Sequence, residues 1–384
     1  MKRALCAASM VLAVLAVLMG RSLGLCAEKK VVYAFDKNFP PFSFVRNQSP
    51  MGFEVEILQT ALNNKGIKLV AKPMEDWELA QAELSGGVVQ ILSGMDRTEL
   101  REKLFLFPDT PTLTMGAKFF VPRQNRVKNI EELRGKTVSV KKGTIHHSTA
   151  QSFGGLKVKP YETEEEALKA LWLGDVDAFF GPDKTAYYLI EKNDFTGVSA
   201  VGPALRKTPV YFALYKGETS LKDTVDQGIL EIMANGEYDR IYRKWFVKEL
   251  KREEVSGLVQ AVAAAAANAY APYHGPRAGA AVLAKSGRVY TGANIENANP
   301  NISAGAIEVA ALRAVSNGEM EIRAVAGAYE NGQVFAPTAN ERQLLYEFGR
   351  DILVVLETGP EKYDTETISR LLPYALEARG KDRE

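Results

Sequence analysis

The α/β character of the chain is visible in residues 31–87, which read VVYAFDKNFPPFSFVRNQSPMGFEVEILQTALNNKGIKLVAKPMEDWELAQAELSGG. Short apolar runs alternate here with amphipathic patterns, which predicts strands at 31–35 and 67–71 and helices at 52–64 and 77–84. Such alternation is typical of mostly parallel sheets, which bind ligands at the carboxyl ends of their strands.

The same alternation resumes further along the chain, with predicted strands at 137–140 and 176–180 and a predicted helix at 163–173. One or two closing helices follow at 221–245. The dense charge run Lys-Glu-Leu-Lys-Arg-Glu-Glu at 248–254 then suggests a domain boundary, although it is equally the pattern of a solvated helix end.

Length and composition limit the possible functions. A chain of 384 residues, 46% hydrophobic and 25% charged, is expected to form two or three ordinary globular domains. The formal net charge of +1 becomes −2 without the three basic residues of the first 27. Because no positive field would attract a polyanion, nucleic acid is not expected as a principal partner.

Residues 1–27 have the pattern of an export signal. Lys2 and Arg3 precede an apolar run at 4–19, and Leu25-Cys26-Ala27 offers a small residue before a cut. We therefore expect a periplasmic or other extracytoplasmic protein. An uncleaved anchor and a lipoprotein modified at Cys26 are the alternatives. Both cysteines lie in this segment, so cleavage would leave no disulfide, no thiol nucleophile and no thiolate metal site.

Four motifs follow one another at 36–44 (DKNFPPFSF), 52–57 (GFEVEI), 94–101 (GMDRTELR) and 234–246 (ANGEYDRIYRKWF). In this order they resemble the extracytoplasmic solute-binding proteins of amino-acid transport systems. The resemblance implies a bilobal periplasmic-binding-protein fold and a receptor that feeds an ABC-type permease. The expected solute-binding domain is 28–250, with lobe 1 at 28–118 and 212–250, lobe 2 at 119–211, and hinge crossings near 118–123 and 205–211.

A free amino acid needs a cation for its carboxylate and an anion for its ammonium group. By resemblance Arg101 is the expected carboxylate clamp; a plain surface arginine is the alternative. Phe39 is the expected lid over the ligand, or else an ordinary core residue. The other ligand-binding residues expected in lobe 1 are Asp36, Trp77, Ser93, Gly94 and Asp96.

Lobe 2 is expected to contribute Thr144, Ile145 and His146, because the turn after the strand 137–140 opens a helix whose backbone amides suit an anion. A solvated histidine in a first helical turn is the alternative for His146. The family usually places an acid for the ammonium group where this chain has Pro182, so Asp183 is the candidate one residue later.

Residues 258–384, after an expected linker at 251–257, resemble cytidine deaminase. The resemblance rests on segments along the whole module, among them AYAPY at 269–273, GANIENA at 292–298 and RQLLYEF at 342–348. It implies an α/β/α sandwich and association into symmetric dimers or tetramers. We therefore expect homo-oligomers formed through this module.

The zinc chemistry of the deaminases is missing from this outline. Zinc deaminases hold their metal with three Cys or His ligands and use a nearby glutamate to transfer the proton. Here Gly305, Thr338 and Glu341 replace the thiolates, and Ile307 replaces the glutamate. A replacement metal site could use His274, Glu308 and Glu341 as ligands, but nothing in the sequence predicts that these side chains converge on one point. We expect neither zinc nor any other cofactor, and no catalytic residue.

Asn294 and Glu296 match the pair that holds the ribose in the deaminases, so nucleoside binding without turnover is one hypothesis. A role in loop structure and an oligomer interface is the other. For the whole chain, the favoured interpretation is a receptor for an amino-acid-like solute carrying an inactive deaminase-like module. A periplasmic deaminase-like hydrolase and a nucleoside sensor remain the alternatives.

Overall fold

The computed structural model describes residues 29–376 apart from residues 64, 76, 126, 128 and 274. The predicted export signal at 1–27 and the candidate ligand His274 therefore lie outside the described residues. Within this part of the chain, none of the helices has the length and apolar character needed to cross a membrane.

The first lobe is a layer of strands covered by helices, together with a separate small sheet. Its elements are β1 (Lys29–Asp36), β2 (Asn38–Phe39), β3 (Ser43–Arg46), β4 (Ser49–Met51), α1 (Phe53–Asn63), β5 (Ile67–Met74), α2 (Trp77–Ser85), β6 (Ile91–Asp96), α3 (Glu99–Leu104) and β7 (Phe105–Leu106). Strands β2, β3 and β4 form the separate small sheet, and β1 pairs in parallel with its neighbours β5 and β6. A cluster of fully buried aromatic residues, including Tyr33, Phe35, Phe42, Phe53 and Phe212, forms its core.

Two long strands connect the lobes, β8 (Leu113–Pro122) and β12 (Val198–Tyr215). They pair antiparallel with each other along both lobes, with a register shift between Val201 and Arg206. Between them lie β9 (Thr137–Lys141), α4 (Ile145–Ser152), β10 (Lys157–Tyr161), α5 (Glu164–Leu173), β11 (Ala178–Pro182) and α6 (Asp183–Lys192). The resulting sheet has the order β10-β9-β11-β8-β12-β6-β1-β5, and β7 pairs with β12.

The chain returns to the first lobe in α7 (Thr219–Ala234) and α8 (Glu237–Phe246). Helix α7 buries Leu221, Val225, Ile229 and Ile232 in the same core as α1. Helix α8 packs Tyr242 edge-on and Phe246 at a tilt against Phe53, with ring centroids 6.0 and 4.9 Å away. The strands and helices expected from the sequence are therefore present, in the predicted bilobal arrangement.

The second module is a three-layer α/β/α sandwich, as the sequence predicts. Its elements are α9 (Arg252–Ala266), β13 (Ala278–Ala284), β14 (Val289–Ala293), α10 (Ala306–Ser316), β15 (Ile322–Tyr329), α11 (Ala339–Phe348), β16 (Leu353–Gly359), β17 (Lys362–Thr367) and α12 (Ile368–Leu371). The sheet order is β14-β13-β15-β16-β17. Leu258 and Val262 of α9 pack on one face of this sheet, and Ile307 and Ala311 of α10 on the other.

The segment 251–257, expected to be a linker, is already helical. Helix α9 begins at Arg252, and the side chain of Glu254 accepts a hydrogen bond from the Lys251 backbone amide at 2.8 Å. Val247 and Leu250, just before this helix, pack against the core of the second module. The passage between the modules is thus short and anchored on the second module, because a capped helix and apolar contacts hold it there.

Candidate functional site

The motif 36–44 holds a carboxylate and an aromatic ring at the end of β1. The Asp36 side chain accepts a hydrogen bond from the Asn38 amide at 2.8 Å, and the Ser43 hydroxyl donates to the Asp36 carbonyl. Phe39 stacks on Phe42 with ring centroids 4.9 Å apart. Asp36 and Phe39 therefore lie at the carboxyl ends of the strands, where α/β folds bind ligands.

Lys141 of lobe 2 reaches across the cleft to both of these residues. Its Nζ lies 2.5 Å from Asp36 Oδ2, 3.3 Å from Glu164 Oε2 and 5.8 Å from the centre of the Phe39 ring. Burial acts to lower the pKa of Lys141, but Glu164 and Asp36 hold this pKa above its ordinary value. The ammonium group is therefore charged and joins the two lobes.

A second charged group is formed by Asp96 at the end of β6 and Arg101 in the following helix α3. Arg101 Nη1 donates to the Asp96 carbonyl at 3.0 Å. Burial lowers the pKa of Arg101, while the charge of Asp96 acts in the opposite direction. Burial also raises the pKa of Asp96, against the lowering effects of Arg101 and Arg206. Two guanidinium groups thus lie near one carboxylate on the lobe 1 side of the cleft.

Ser93 and Gly94 lie on the strand that leads to this group. Ser93 is buried, and the Gly94 amide donates to Glu54 Oε2 at 2.9 Å. Glu54 is fully buried, and among the described residues its other carboxylate oxygen, Oε1, has no hydrogen-bond partner. Burial raises the pKa of Glu54 to about 7, although the Gly94 amide acts to lower it. The amide of Gly94 is therefore already engaged within lobe 1.

The start of α4 brings His146 towards the same charges. Thr144 caps the helix, because its hydroxyl accepts from the His147 amide at 3.3 Å and donates to the Lys141 carbonyl at 2.9 Å. Burial lowers the pKa of His146 to about 4, and the positive charges of Arg206 and Lys141 add to this effect. His146 is therefore neutral at pH 7. Ile145, next to it, is half-buried.

The remaining two candidates are placed differently. Trp77 begins α2 and is partly buried against an apolar cluster of lobe 1. Asp183 begins α6, beside Gly116 of β8, and its charge acts on the pKa values of Lys285 and Glu321 in the second module. These observations place Asp183 next to β8 and near charged groups of the second module, and its expected contact with a ligand ammonium group stays a prediction.

Sequence reasoning missed three charged residues of the cleft, Lys141, Glu164 and Arg206. Lys141 and Glu164 follow a predicted strand and begin a predicted helix, which are positions where charged side chains are usually solvent-exposed. Only Lys141 gave a signal, as the residue directly after the predicted strand 137–140 and two residues before Gly143. Arg206 lies on the crossing strand β12, beside a register shift that the sequence does not indicate.

In the second module, a capping box occupies the position of the two lost Cys-x-x-Cys ligands. Glu341 Oε2 accepts hydrogen bonds from the Thr338 amide and hydroxyl, both at 2.9 Å. The Thr338 hydroxyl in turn accepts from the Glu341 amide. A Cβ atom on Gly305 would lie only 2.5 Å from Glu341 Oε1, so the three positions still converge. They converge around a helix cap.

The residues present do not fit a catalytic zinc ion. Thr338 is a neutral hydroxyl, Gly305 has no side chain, and Glu341 is 6% exposed and engaged in its cap. Glu308 Oε2 accepts from the Gly305 amide at 3.4 Å and so lies in a cap of its own. Over the described ranges, no three His, Cys, Asp or Glu residues are placed to hold a metal ion. Ile307 is fully buried in the apolar core.

Asn294 and Glu296 hold the loop that follows α9. Asn294 Oδ1 accepts from the Ala278 amide at 2.8 Å, and its amide group donates to the Pro276 carbonyl. Glu296 Oε2 accepts from the Tyr273 amide at 2.7 Å. Both side chains therefore have a role in loop structure, which was one of the two expectations.

These features agree with comparisons with known proteins. The chain belongs to the family of bacterial extracellular solute-binding proteins, family 3, whose model matches residues 31–248. A second model, the cytidine and deoxycytidylate deaminase zinc-binding region, matches residues 227–329. Both resemblances inferred from the sequence are therefore confirmed.

Individual relatives cover the first module. The L-cystine-binding protein TcyJ of Escherichia coli K12 is 27% identical over 56% of this chain and 82% of the relative. The crystal structure of the arginine-, lysine-, histidine-binding protein ArtJ from Geobacillus stearothermophilus is 28% identical, covering 58% of this chain and 97% of ArtJ, with a TM-score of 0.53. The substrate-binding protein of an amino acid ABC transporter is 26% identical, covering 56% of this chain and 99% of that protein, with a TM-score of 0.52.

Proposed function

We propose that this protein is an extracytoplasmic receptor for an amino-acid-like solute and passes its ligand to an ABC-type permease. The observation that carries the proposal is the placement of Phe39 beside the Asp36–Lys141 ion pair that joins the lobes, with the opposite charges of Asp96 and Arg101 near each other in lobe 1. Two of its relatives are named as amino-acid-binding proteins, which supports the same class of ligand.

A zwitterion suits this arrangement. Arg101 and Arg206 offer cations to a carboxylate, and Asp36 with Glu164 offers anions to an ammonium group. In this proposal Asp36 takes the part first expected of Asp183. The ring of Phe39 would cover the ligand, since an aromatic face attracts both apolar groups and cations.

A thermal-shift screen of the full chain tests the proposal, because a ligand that binds only the native state raises the melting temperature. The screen compares amino acids, small amines and nucleosides. We expect stabilisation by at least one amino acid, and loss of that stabilisation in Arg101→Ala. Stabilisation by nucleosides alone, unchanged in Arg101→Ala, would contradict the receptor proposal and move the binding function to the second module.

We further propose that the second module is catalytically inactive and has a structural role. The capping box of Thr338 and Glu341 and the buried Ile307 support this, because they replace the groups that would hold zinc and transfer the proton. Measurement of zinc by mass spectrometry and of ammonia released from cytidine tests it. Stoichiometric zinc with ammonia release would overturn the proposal.

Self-association is the structural role we propose for this module. Tyr270, Ile295 and Ile302 are 56, 51 and 66% exposed, and backbone bridges join Ile295 to Tyr270 and to Ala304. An exposed apolar patch of this kind is typical of an interface. Sedimentation of the full chain should show a dimer or larger species that dissociates in Ile302→Glu. A monomeric wild type at micromolar concentration would contradict this role.

A further inference from the structure

The second module contacts both lobes of the receptor through a small set of charged residues. Asp351, between α11 and β16, accepts hydrogen bonds from the Tyr242 hydroxyl at 2.7 Å and from Lys184 Nζ at 3.0 Å. Tyr242 belongs to α8 of lobe 1 and Lys184 to α6 of lobe 2. One carboxylate of the second module thus holds a residue from each lobe.

Lys184 also contacts lobe 1 directly. Its Nζ donates to the Tyr242 hydroxyl at 2.7 Å and lies 4.6 Å from the centre of the Phe246 ring. Burial acts to raise the pKa of Asp351, but Lys184 and the Tyr242 hydroxyl hold it below its ordinary value. The ion pair is therefore fully formed at neutral pH, in a setting where charge-assisted hydrogen bonds are strong.

A second carboxylate of the module, Glu321, binds lobe 2. It accepts a hydrogen bond from the Tyr187 hydroxyl of α6, and it lies 3.5 Å from Lys118 Nζ on the crossing strand β8. Lys285, also of the second module, places its ammonium group 3.6 Å from the centre of the Tyr187 ring. These contacts lie on the part of lobe 2 next to the crossing strands.

The second module is attached firmly to lobe 1. Arg243 of α8 donates to the Thr365 carbonyl at 2.8 Å and to Glu366 Oε1 at 3.2 Å, both in β17. Val247 and Leu250 pack into the core of the module, and the chain passes directly from α8 to α9. When the lobes rotate about the crossing strands, the module should therefore move together with lobe 1.

We propose that the second module is a brace that stabilises the closed arrangement of the receptor. Because the module moves with lobe 1, its bonds to Lys184, Tyr187 and Lys118 join lobe 1 to lobe 2. Opening of the cleft displaces α6 from α8 and must break these bonds. These bonds therefore favour the closed state. A change in the second module that weakens them shifts the equilibrium between open and closed molecules by the free energy that the bonds lose.

The distance between the lobes tests this proposal without any ligand. Spin labels are attached at Ser220→Cys in lobe 1 and Gln151→Cys in lobe 2, both exposed positions, in the full chain with Cys6→Ser and Cys26→Ser. Pulsed electron resonance then measures the distance distribution. We expect one short, narrow distance in this protein. In Tyr187→Phe, which removes the bond to Glu321, and in Asp351→Asn, which weakens the bond to Lys184, the ratio of open to closed molecules should increase by about ten-fold or more.

Asp175→Asn, at an exposed turn of lobe 2, is the matched control and should leave the distribution unchanged. Tyr187→Phe keeps the aromatic ring and removes only the hydroxyl that donates to Glu321, so it gives the test should Asp351→Asn fail to fold. Identical distributions in the control and in Tyr187→Phe would overturn the proposal. A protein with an intact brace that is already mostly open would overturn it equally.

Discussion

At the residue scale, the cleft depends on charged side chains whose partners lie far away in the sequence. Lys141 and Asp36 are separated by 105 positions and form the shortest ion pair between the lobes. Arg101, by contrast, is held by the Asp96 carbonyl only five positions earlier. The proposed roles of these residues can be tested separately, because different bonds hold them.

Arg101→Ala should weaken binding of the amino acid identified by the thermal screen. Removing the partner of a desolvated carboxylate costs about 2 to 5 kcal/mol, which corresponds to about thirty-fold to several-thousand-fold in affinity. Isothermal titration calorimetry measures this loss. Arg97→Ala is the control, because Arg97 is exposed and paired with Glu102. Equal affinities of Arg101→Ala and the wild type would exclude Arg101 from the site.

Glu54 should make stability depend on pH. Its pKa is raised to about 7 in the folded protein against an ordinary value of 4.5, so the unfolded chain loses this proton first as pH rises. Because of this group, the free energy of unfolding should fall by about 3 kcal/mol as the pH rises from about 4.5 to 7. Glu54→Gln should remove this loss. Its stability relative to the wild type, from urea unfolding, should rise over that window.

The exposed Glu253→Gln is the control for this measurement and should show no such rise. A stability difference between Glu54→Gln and the wild type that is the same at pH 4.5 and pH 8 would show that Glu54 is not the group responsible.

At the element scale, the second module keeps the deaminase-like outline because helix caps replace metal ligands. Thr338 and Glu341 form a complete capping box at the start of α11. Such a cap contributes about 1 kcal/mol to a helix, so it can hold the helix start without a metal. The same module also depends on close contact between α9 and β13.

Two glycines near this contact should respond to alanine in opposite ways. A Cβ atom on Gly279 of β13 would lie 2.3 Å from the Val262 carbonyl oxygen of α9, so Gly279→Ala should destabilise the protein by about 2 kcal/mol. Gly257 lies within α9, and in the described part of the chain no heavy atom outside the backbone of this helix and the adjacent residues is within 4 Å of its Cβ position. Gly257→Ala should therefore stabilise by up to about 1 kcal/mol. Thermal unfolding measures the change in melting temperature of both variants. Equal changes in the two would contradict the close contact inferred at Gly279.

At the scale of the whole molecule, charged contacts join the two lobes to each other and to the second module. The Asp36–Lys141 pair closes the front of the cleft, and Asp351 with Glu321 joins the modules beside the crossing strands. Hinge closure in such receptors is a rotation of rigid lobes. The stability of the closed molecule therefore depends on bonds at two separate places.

Lys141→Met should reduce the free energy of unfolding by about 3 kcal/mol or more, because it leaves Glu164, which is 3% exposed, as a buried and unpaired carboxylate. Lys142→Met is the control, since Lys142 is exposed and pairs with Glu162, which is also exposed. The double variant Lys141→Met, Glu164→Gln should recover part of the loss. Chemical denaturation measures the free energy of unfolding of each variant. Similar free energies for Lys141→Met and Lys142→Met would contradict the role of Lys141 as the partner of Glu164.

The sequence alone determined the two resemblances, the alternation of strands and helices, and the loss of the thiolate ligands. These are properties of local pattern, since apolar periodicity and short motifs are read from neighbouring residues. Its expectation that Arg101, Asp36 and Phe39 contact a ligand stays a prediction. The sequence could not decide between neighbours such as Pro182 and Asp183, because one residue decides which side of a sheet a side chain faces.

Only the tertiary structure decided which charges meet. The pairing of Lys141 with Asp36, the position of Arg206 beside Asp96, and the placement of Asp183 near the second module follow from how separate elements pack. The bridge from Asp351 to both lobes joins residues more than a hundred positions apart. Such contacts depend on the relative placement of whole domains, and no local pattern in the chain records that placement.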